Sequence, residues 1–331
     1  MDVHRKTSGW KKSAASTAGI VIAAVIWLGA YSPAAACPIP VFQYSIEYWD
    51  SDPYDVVIHY EGSLTAGQQE AVDRLENAER GEGHHANITV MLVDHSERDN
   101  PNPSGNELPR IELRYPMISG IRGTLWEGPL DMDVIGAMLH SPVRQEIAEK
   151  LLDRNAGVWV LLESGNRSRD REVRRTLERE LARLENTLKV PDPAEEYGID
   201  MGDIHTEIDF SVVSLSRDDP AEQIFINMLL GTERDLREFD EEPIVFPIYG
   251  RGLVMYALIG DGINTWTLTE AGEFLTGPCS CIVKAGNPGV DLLMSIDWNG
   301  IVERRSVYGI PGADTGGFID RMDEAEERLN Q

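Results

Sequence analysis

The chain has 331 residues, 42% hydrophobic and 26% charged, a composition that excludes a disordered polymer and leaves room for two domains, each with its own core. Its formal net charge of −26 excludes the usual nucleic-acid binders, which neutralise phosphates with Lys and Arg, and opposes contact with anionic membrane surfaces. The acidity reads as solubility and mutual repulsion.

Residues 1–36 have the pattern of a secretory signal peptide. Arg5, Lys6, Lys11 and Lys12 form a basic n-region, Gly19 to Ala30 an apolar h-region, and Pro33-Ala34-Ala35-Ala36 a cleavage site of small residues. The segment carries +3, so the chain beyond it carries −29. Cleavage after Ala36 makes Cys37 the first mature residue of an extracytoplasmic protein, periplasmic or secreted. That cysteine is either lipidated or an ordinary thiol in an oxidising compartment. Ala34 stands where bacterial lipoproteins usually carry leucine. Nucleic acid is not an expected partner, membrane contact would come only through a lipid on Cys37, and a protein of the envelope is the partner class left open.

The mature chain starts with Cys37-Pro38-Ile39-Pro40 and a short helix with Phe42, Ile46 and Trp49 on one face. Tyr54 to Tyr60 reads as a strand, and Leu64 to Ala78 as a helix begun by a Thr65/Gln68 capping box. Ile88 to Val93 is an apolar run suited to a buried strand, and Asp94 to Asn106 is a polar loop. After Leu108-Pro109, Ile111, Leu113 and Tyr115 alternate with charged residues as a strand, with Gly123 to Glu127 as its partner. Asp131 caps the next helix, which Ser141-Pro142 restarts and carries to Leu152.

A similar order follows. Gly157 to Leu162 is a strand, Arg169 to Leu188 an amphipathic helix, and Pro191 to Gly202 a linker. Ile204 to Leu215 contains a strand, and a helix started by Asp218-Asp219-Pro220 reaches Leu230. Strands Pro243 to Tyr249 and Leu253 to Ile259 flank the Gly250-Arg251-Gly252 turn, and Leu268 to Leu275 is a last helix. The order β-α-β-α-β-β-α resembles the thioredoxin-like arrangement, and Leu108-Pro109 stands where that fold has a cis-proline before its third strand. The resemblance implies an α/β protein of two tandem thioredoxin-like domains, each a three-layer α/β/α unit with a mixed sheet. The first spans residues 37–155, with its opening strand absent or replaced, and the second residues 156–276. A Cys-x-Cys segment and acidic tail, residues 277–331, complete the chain.

Cys37-Pro38-Ile39-Pro40-Val41-Phe42, the Phe246 to Gly252 turn and the stretch Gly277 to Met294 are similar to an uncharacterised family of exported proteins from planctomycete-type bacteria. That likeness implies address and architecture, and no activity.

Chemistry concentrates on the three cysteines, Cys37, Cys279 and Cys281. An active thioredoxin needs Cys-x-x-Cys at a helix start, where the helix N-terminus favours the thiolate. The first domain offers Cys37 with proline in the resolving position, and the second Ser164-Gly165-Asn166-Arg167-Ser168, without cysteine. Cys279 and Cys281 either pair with each other, through a small strained ring, or one of them pairs with Cys37 and staples the tail to the mature N-terminus. Two thiols do not complete a metal site, and phosphate-loop, calcium-loop, serine-hydrolase and zinc-protease signatures are lacking, so neither cofactor nor metal is expected. The sequence thus points to a non-catalytic binding or structural protein with a structural disulfide. The alternative is an extracytoplasmic thiol–disulfide oxidoreductase that uses Cys37 with Cys279/Cys281.

Overall fold

A computed structural model describes residues 37–81, 85–96, 105–191, 205–279 and 283–305. The signal-peptide pattern, Cys281, most of the linker at 191–202 and the acidic tail lie outside the described residues. In chain order the regular elements begin with β1 (Cys37–Pro40), α1 (Val41–Tyr48), β2 (Tyr54–Tyr60), α2 (Ala66–Arg80), β3 (Ile88–Asp94), β4 (Arg110–Arg114) and β5 (Thr124–Pro129). Next come α3 (Met132–Leu139), α4 (Pro142–Leu152), β6 (Gly157–Leu162), α5 (Arg167–Thr187), β7 (Phe210–Leu215), α6 (Gln223–Leu230) and β8 (Ile244–Tyr249). The last are β9 (Leu253–Val254), β10 (Leu258–Ile259), α7 (Thr265–Thr276), β11 (Pro278–Cys279), β12 (Val290–Asp291) and α8 (Trp298–Arg305). Among the described residues no helix is long and apolar enough to cross a membrane.

The α/β class follows directly from two mixed sheets. The first has the order β3-β2-β4-β5, with β2 parallel to β3 and the other pairs antiparallel. The second runs β12-β9-β8-β6-β7, with β6 parallel to β7, β6 antiparallel to β8 and β8 antiparallel to β9. Stripped of β12 and of β10, which pairs antiparallel with the start of β8, the two sheets share one pairing scheme: a central strand, a parallel neighbour reached across a helix, and an antiparallel pair on the other side. Element order leaves the opening strand of the first half absent or replaced; in the structure Tyr54–Tyr60 is the central strand of that sheet, joined to β3 through α2. Pairing is a tertiary property, so element order could not show which strand is central. The Leu108–Pro109 peptide is cis.

Local chemistry sets most boundaries. Thr65 caps α2 in a capping box with Gln68, Asp131 caps α3 by accepting from Val134 N, and Ser141 caps α4 with Pro142 in its first turn. Two expectations shift. α6 begins at Gln223, not at the acidic Asp218-Asp219-Pro220 run, because Asp219 accepts from Ala221 N and Gln223 Nε2 donates to the Arg217 and Asp219 carbonyls, holding a turn there. The strand expected over Leu253 to Ile259 splits into β9 and β10. Met255 N donates to Pro247 O, so the bonding side of Pro247 faces the gap, and proline has no N–H to continue the ladder.

The described residues form one compact unit. The two sheets are joined through buried polar contacts. Glu222, 1% exposed, accepts from Ser141 Oγ at 2.5 Å and from Val143 N at 2.9 Å, completing the cap of α4 from the start of α6. Buried Arg144 donates to the carbonyls of Met138 and Leu293, and Tyr115 Oη donates to Met228 O at 2.5 Å. The N-terminal helix α1 packs on α7 and β8, elements of the second sheet's side. Arg251, from the tight turn between β8 and β9, is 4% exposed and donates to Ile46 O (2.8 Å) and Glu47 O (3.1 Å) at the end of α1. That turn needs glycine at Gly250, whose φ of +57° lies in the left-handed region and whose Cα faces Ser45.

Candidate functional site: the cysteine strands and the two helix starts

The cysteine candidates fall where the chain's two ends meet. β1 and β11 form a short antiparallel ladder in which Cys37 is the register partner of Cys279 and Pro40 of Pro278. Val41 N donates to Gly277 O at 3.0 Å and locks the ladder to the start of α1. Directly opposed antiparallel residues have Cα atoms roughly 4.5–5.5 Å apart, inside the range that a disulfide spans. Cys279 is fully buried, next to Tyr249, whose phenol is pushed up by burial and by the charges of Asp291 and Cys279. Tyr249 Oη donates to Pro288 O at 2.6 Å and so fixes the Asn287-Pro288-Gly289 turn. The backbone brings Cys37 and Cys279 together.

The two helix starts are built alike and neither carries a thiol. In the first sheet β2 leads through Glu61-Gly62-Ser63-Leu64 to Thr65, whose Oγ1 accepts from Gln68 N while Gln68 Oε1 accepts from Thr65 N. In the second, β6 leads through Glu163-Ser164-Gly165 to Asn166, whose Oδ1 accepts from Ser168 N and Arg169 N. Ser164 donates from both N and Oγ to Asp170 Oδ1, which is buried. Gln68 N at the first start, and Ser168 N and Arg169 N at the second, are first-turn amides that could stabilise a thiolate and are taken by side-chain oxygens. Cys37 stands just ahead of α1, as the sequence placed it, but α1 is not the helix that links parallel strands; in the first sheet that helix is α2, entered through Glu61 to Thr65. Ser164 to Ser168 lies where the sequence put it. An open cleft of about 530 Å³ lies beside the α2 start, lined by Gln68, Pro109, Arg110 and Glu127 among others.

Comparison with protein-family models, with curated proteins and with solved structures finds no match.

Two polar clusters escaped sequence reasoning. On the first sheet His59 and Glu112, each near 7% exposed, are bonded at 3.1 Å, and His59 Nδ1 meets His95 Nε2 at 2.9 Å. Burial opposes the Glu112 charge, but hydrogen bonds from Arg114, Thr124 and His59 outweigh it and hold the carboxyl down at about 2. Burial also pushes the His59 imidazole down, against the pull of Glu112. The strand register carried the signal: Arg110, Glu112 and Arg114 alternate with Ile111 and Leu113, and Asp55, Val57 and His59 lie opposite them. The second cluster, Asp52, Lys284 and Asp291, spans 240 residues of sequence and left no local pattern to find.

Proposed function

We propose that this is an exported, acidic protein of two tandem thioredoxin-like domains, similar to the planctomycete-type exported proteins, that acts as a non-catalytic binding or structural component for a protein partner of the envelope. The observation that carries the reading is the pair of helix starts: one pairing scheme occurs in both sheets, and in both the turn before the linking helix holds caps in place of a dithiol. Without a thiol there, neither domain has a nucleophile for disulfide exchange at the position where the fold supplies one.

The register supports a structural cystine between Cys37 and Cys279, which fastens the return of the C-terminal segment to the mature N-terminus. A sulfur in a disulfide cannot also carry a lipid, so this pairing argues against a lipid anchor on Cys37. Closing so long a loop stabilises by about 2–4 kcal/mol. The oxidoreductase reading draws on the same register: attack of the Cys281 thiolate on Cys279 of a Cys37–Cys279 bond would form Cys279–Cys281 and release the Cys37 thiolate, which would then exchange with a substrate disulfide.

Peptide mapping of the exported protein without reductant separates these readings. The expected result is a Cys37–Cys279 linked peptide, an alkylatable Cys281 and no insulin-disulfide reduction. A diacylglyceryl Cys37 or a Cys279–Cys281 link removes the staple. Insulin reduction that is lost in Cys37→Ser establishes the oxidoreductase instead.

A further inference from the structure

The outer edge of the first sheet differs from the other edges of the two larger sheets. β3 pairs with β2 in an unbroken parallel register over seven residues, and among the described residues no strand lies on its other side. At the two ends of that ladder Tyr54 N donates to Asn87 O at 2.9 Å and His95 N donates to Tyr60 O at 2.8 Å. In this register the N–H and C=O groups of Thr89, Met91 and Val93 point to β2, and those of Val90 and Leu92 point away from it. Among the described residues nothing bonds to Val90 or Leu92 from the outer side.

Folded proteins guard such edges with charge, proline, a bulge or shortness. β5 has a register shift opposite Arg114 and ends on Gly128 and Pro129, and β10 and β12 have two residues each. β7 takes the place of β3 in the second sheet. There Glu185 of α5 accepts from Phe210 N, and Arg174 Nη1 donates to Ser214 Oγ, both at 2.8 Å. β3 has none of these devices. It reads Ile-Thr-Val-Met-Leu-Val before Asp94, whose carboxylate is turned back to accept from Gly62 N and Ser96 N. Leu92, 44% exposed, shares a face with the buried Val56 and Ile58, so that apolar face continues to the open edge.

N–H and C=O groups that alternate along an edge are matched by another extended backbone. We propose that the outer edge of β3 is a docking site for an extended segment of a partner protein. The segment adds a fifth strand to the first sheet, with apolar side chains beside Val90 and Leu92 and Lys or Arg side chains on the opposite face. That opposite face carries Asp55, the register partner of Thr89, and the chain's net charge of −26 favours a cationic segment. Two copies of so acidic a chain repel each other, which disfavours β3 pairing with itself. The docking site rests on the reading of the protein as a partner-binding component and gives that partner its place and conformation.

Titration of a fluorescently labelled peptide of alternating valine and lysine with the exported protein, followed by anisotropy, tests the edge. The same peptide N-methylated throughout keeps the side chains and charge but has no donors for a ladder. Leu92→Pro removes an outward N–H and leaves the bonds to β2 in place, as proline on an edge strand does. The expected result is saturable binding that is roughly tenfold weaker for the N-methylated peptide, for a peptide with glutamate in place of lysine and for Leu92→Pro. No saturable binding, equal binding of either control peptide, or binding unchanged in Leu92→Pro overturns the proposal. Should Leu92→Pro fail to fold, Leu92→Lys decides: a cation at this exposed position repels the cationic peptide, so weaker binding supports the site and unchanged binding overturns it. Sedimentation of the protein alone as a dimer that Leu92→Pro dissociates gives the edge to a second copy and overturns the proposal as well. Insulin reduction decides the non-catalytic reading separately, so a protein that neither binds the peptide nor reduces insulin loses this site and keeps that reading.

Discussion

The two sheets share a pairing scheme and differ in how they are covered. In the second, all six residues of β6 and all six of β8 are buried, so both faces of those strands are covered. α4 and α5 both pack on β7, α4 also on β6, α5 also on α7, and α6 links β7 to β8. In the first, β3 is mostly half-exposed and Leu92 is 44% exposed. One face, with Tyr54, Val56, Ile58, Ile111 and Leu113, joins the core, while the other holds the His59–Glu112–Arg114 network. Burial of both faces calls for continuous apolar strands, and a face without that cover calls for alternation. One topology is therefore stabilised chiefly by packing in one half and by packing plus a hydrogen-bonded charge network in the other.

The largest test of that contrast is Leu161→Ala in β6, which should cost about 2–5 kcal/mol in denaturant unfolding, as truncation of a fully buried side chain does. A cost near zero would show that the second sheet is not packed as described.

Glu112→Gln should cost less, about 1–3 kcal/mol near neutral pH, because it weakens the hydrogen bonds to Arg114 and His59. The Glu112 carboxyl is held low, so its contribution is fully present above the ordinary carboxylate range and is lost as pH falls from about 4.5 towards 2. Unfolding curves of the wild type and Glu112→Gln should converge over that interval; parallel curves would remove the network from the account.

For Asp291 the sign is opposite. Its carboxyl is raised to about 7, so the folded state holds a proton that the unfolded state releases near pH 4. Stability then declines as pH rises from about 4 to 7, and Asp291→Asn should lack that decline. Melting temperatures of the two proteins at pH 5 and pH 8 check it: the variant's advantage should grow towards pH 8.

The smallest effect is expected on the open side of the first sheet. Leu92→Ala should stay within about 0.5 kcal/mol of wild type, as a partly exposed truncation does. A loss comparable to that of Leu161→Ala would mean that the face is covered after all.

Much of the framework was legible in the chain. The caps at Thr65, Asp131 and Ser141, the strands Tyr54–Tyr60 and Gly157–Leu162 and the amphipathic α5 follow from side-chain chemistry acting over a few residues. The candidate site was legible only as a set of residues. Cys37 and Cys279 were named, but their pairing depends on a ladder that closes more than 240 residues of chain.

By itself the sequence determined the α/β class, most of the element boundaries and the residues with reactive side chains, because periodicity, capping and composition act locally. Only the tertiary structure decided that Tyr54–Tyr60 is a central strand, that α1 packs on the second sheet's side, and that Asp52, Lys284 and Asp291 meet. Strand order and long-range ion pairs come from packing between distant segments, whose separation in sequence carries no periodic signal. For that reason the Asp52–Lys284–Asp291 cluster could be found only after the fold was known.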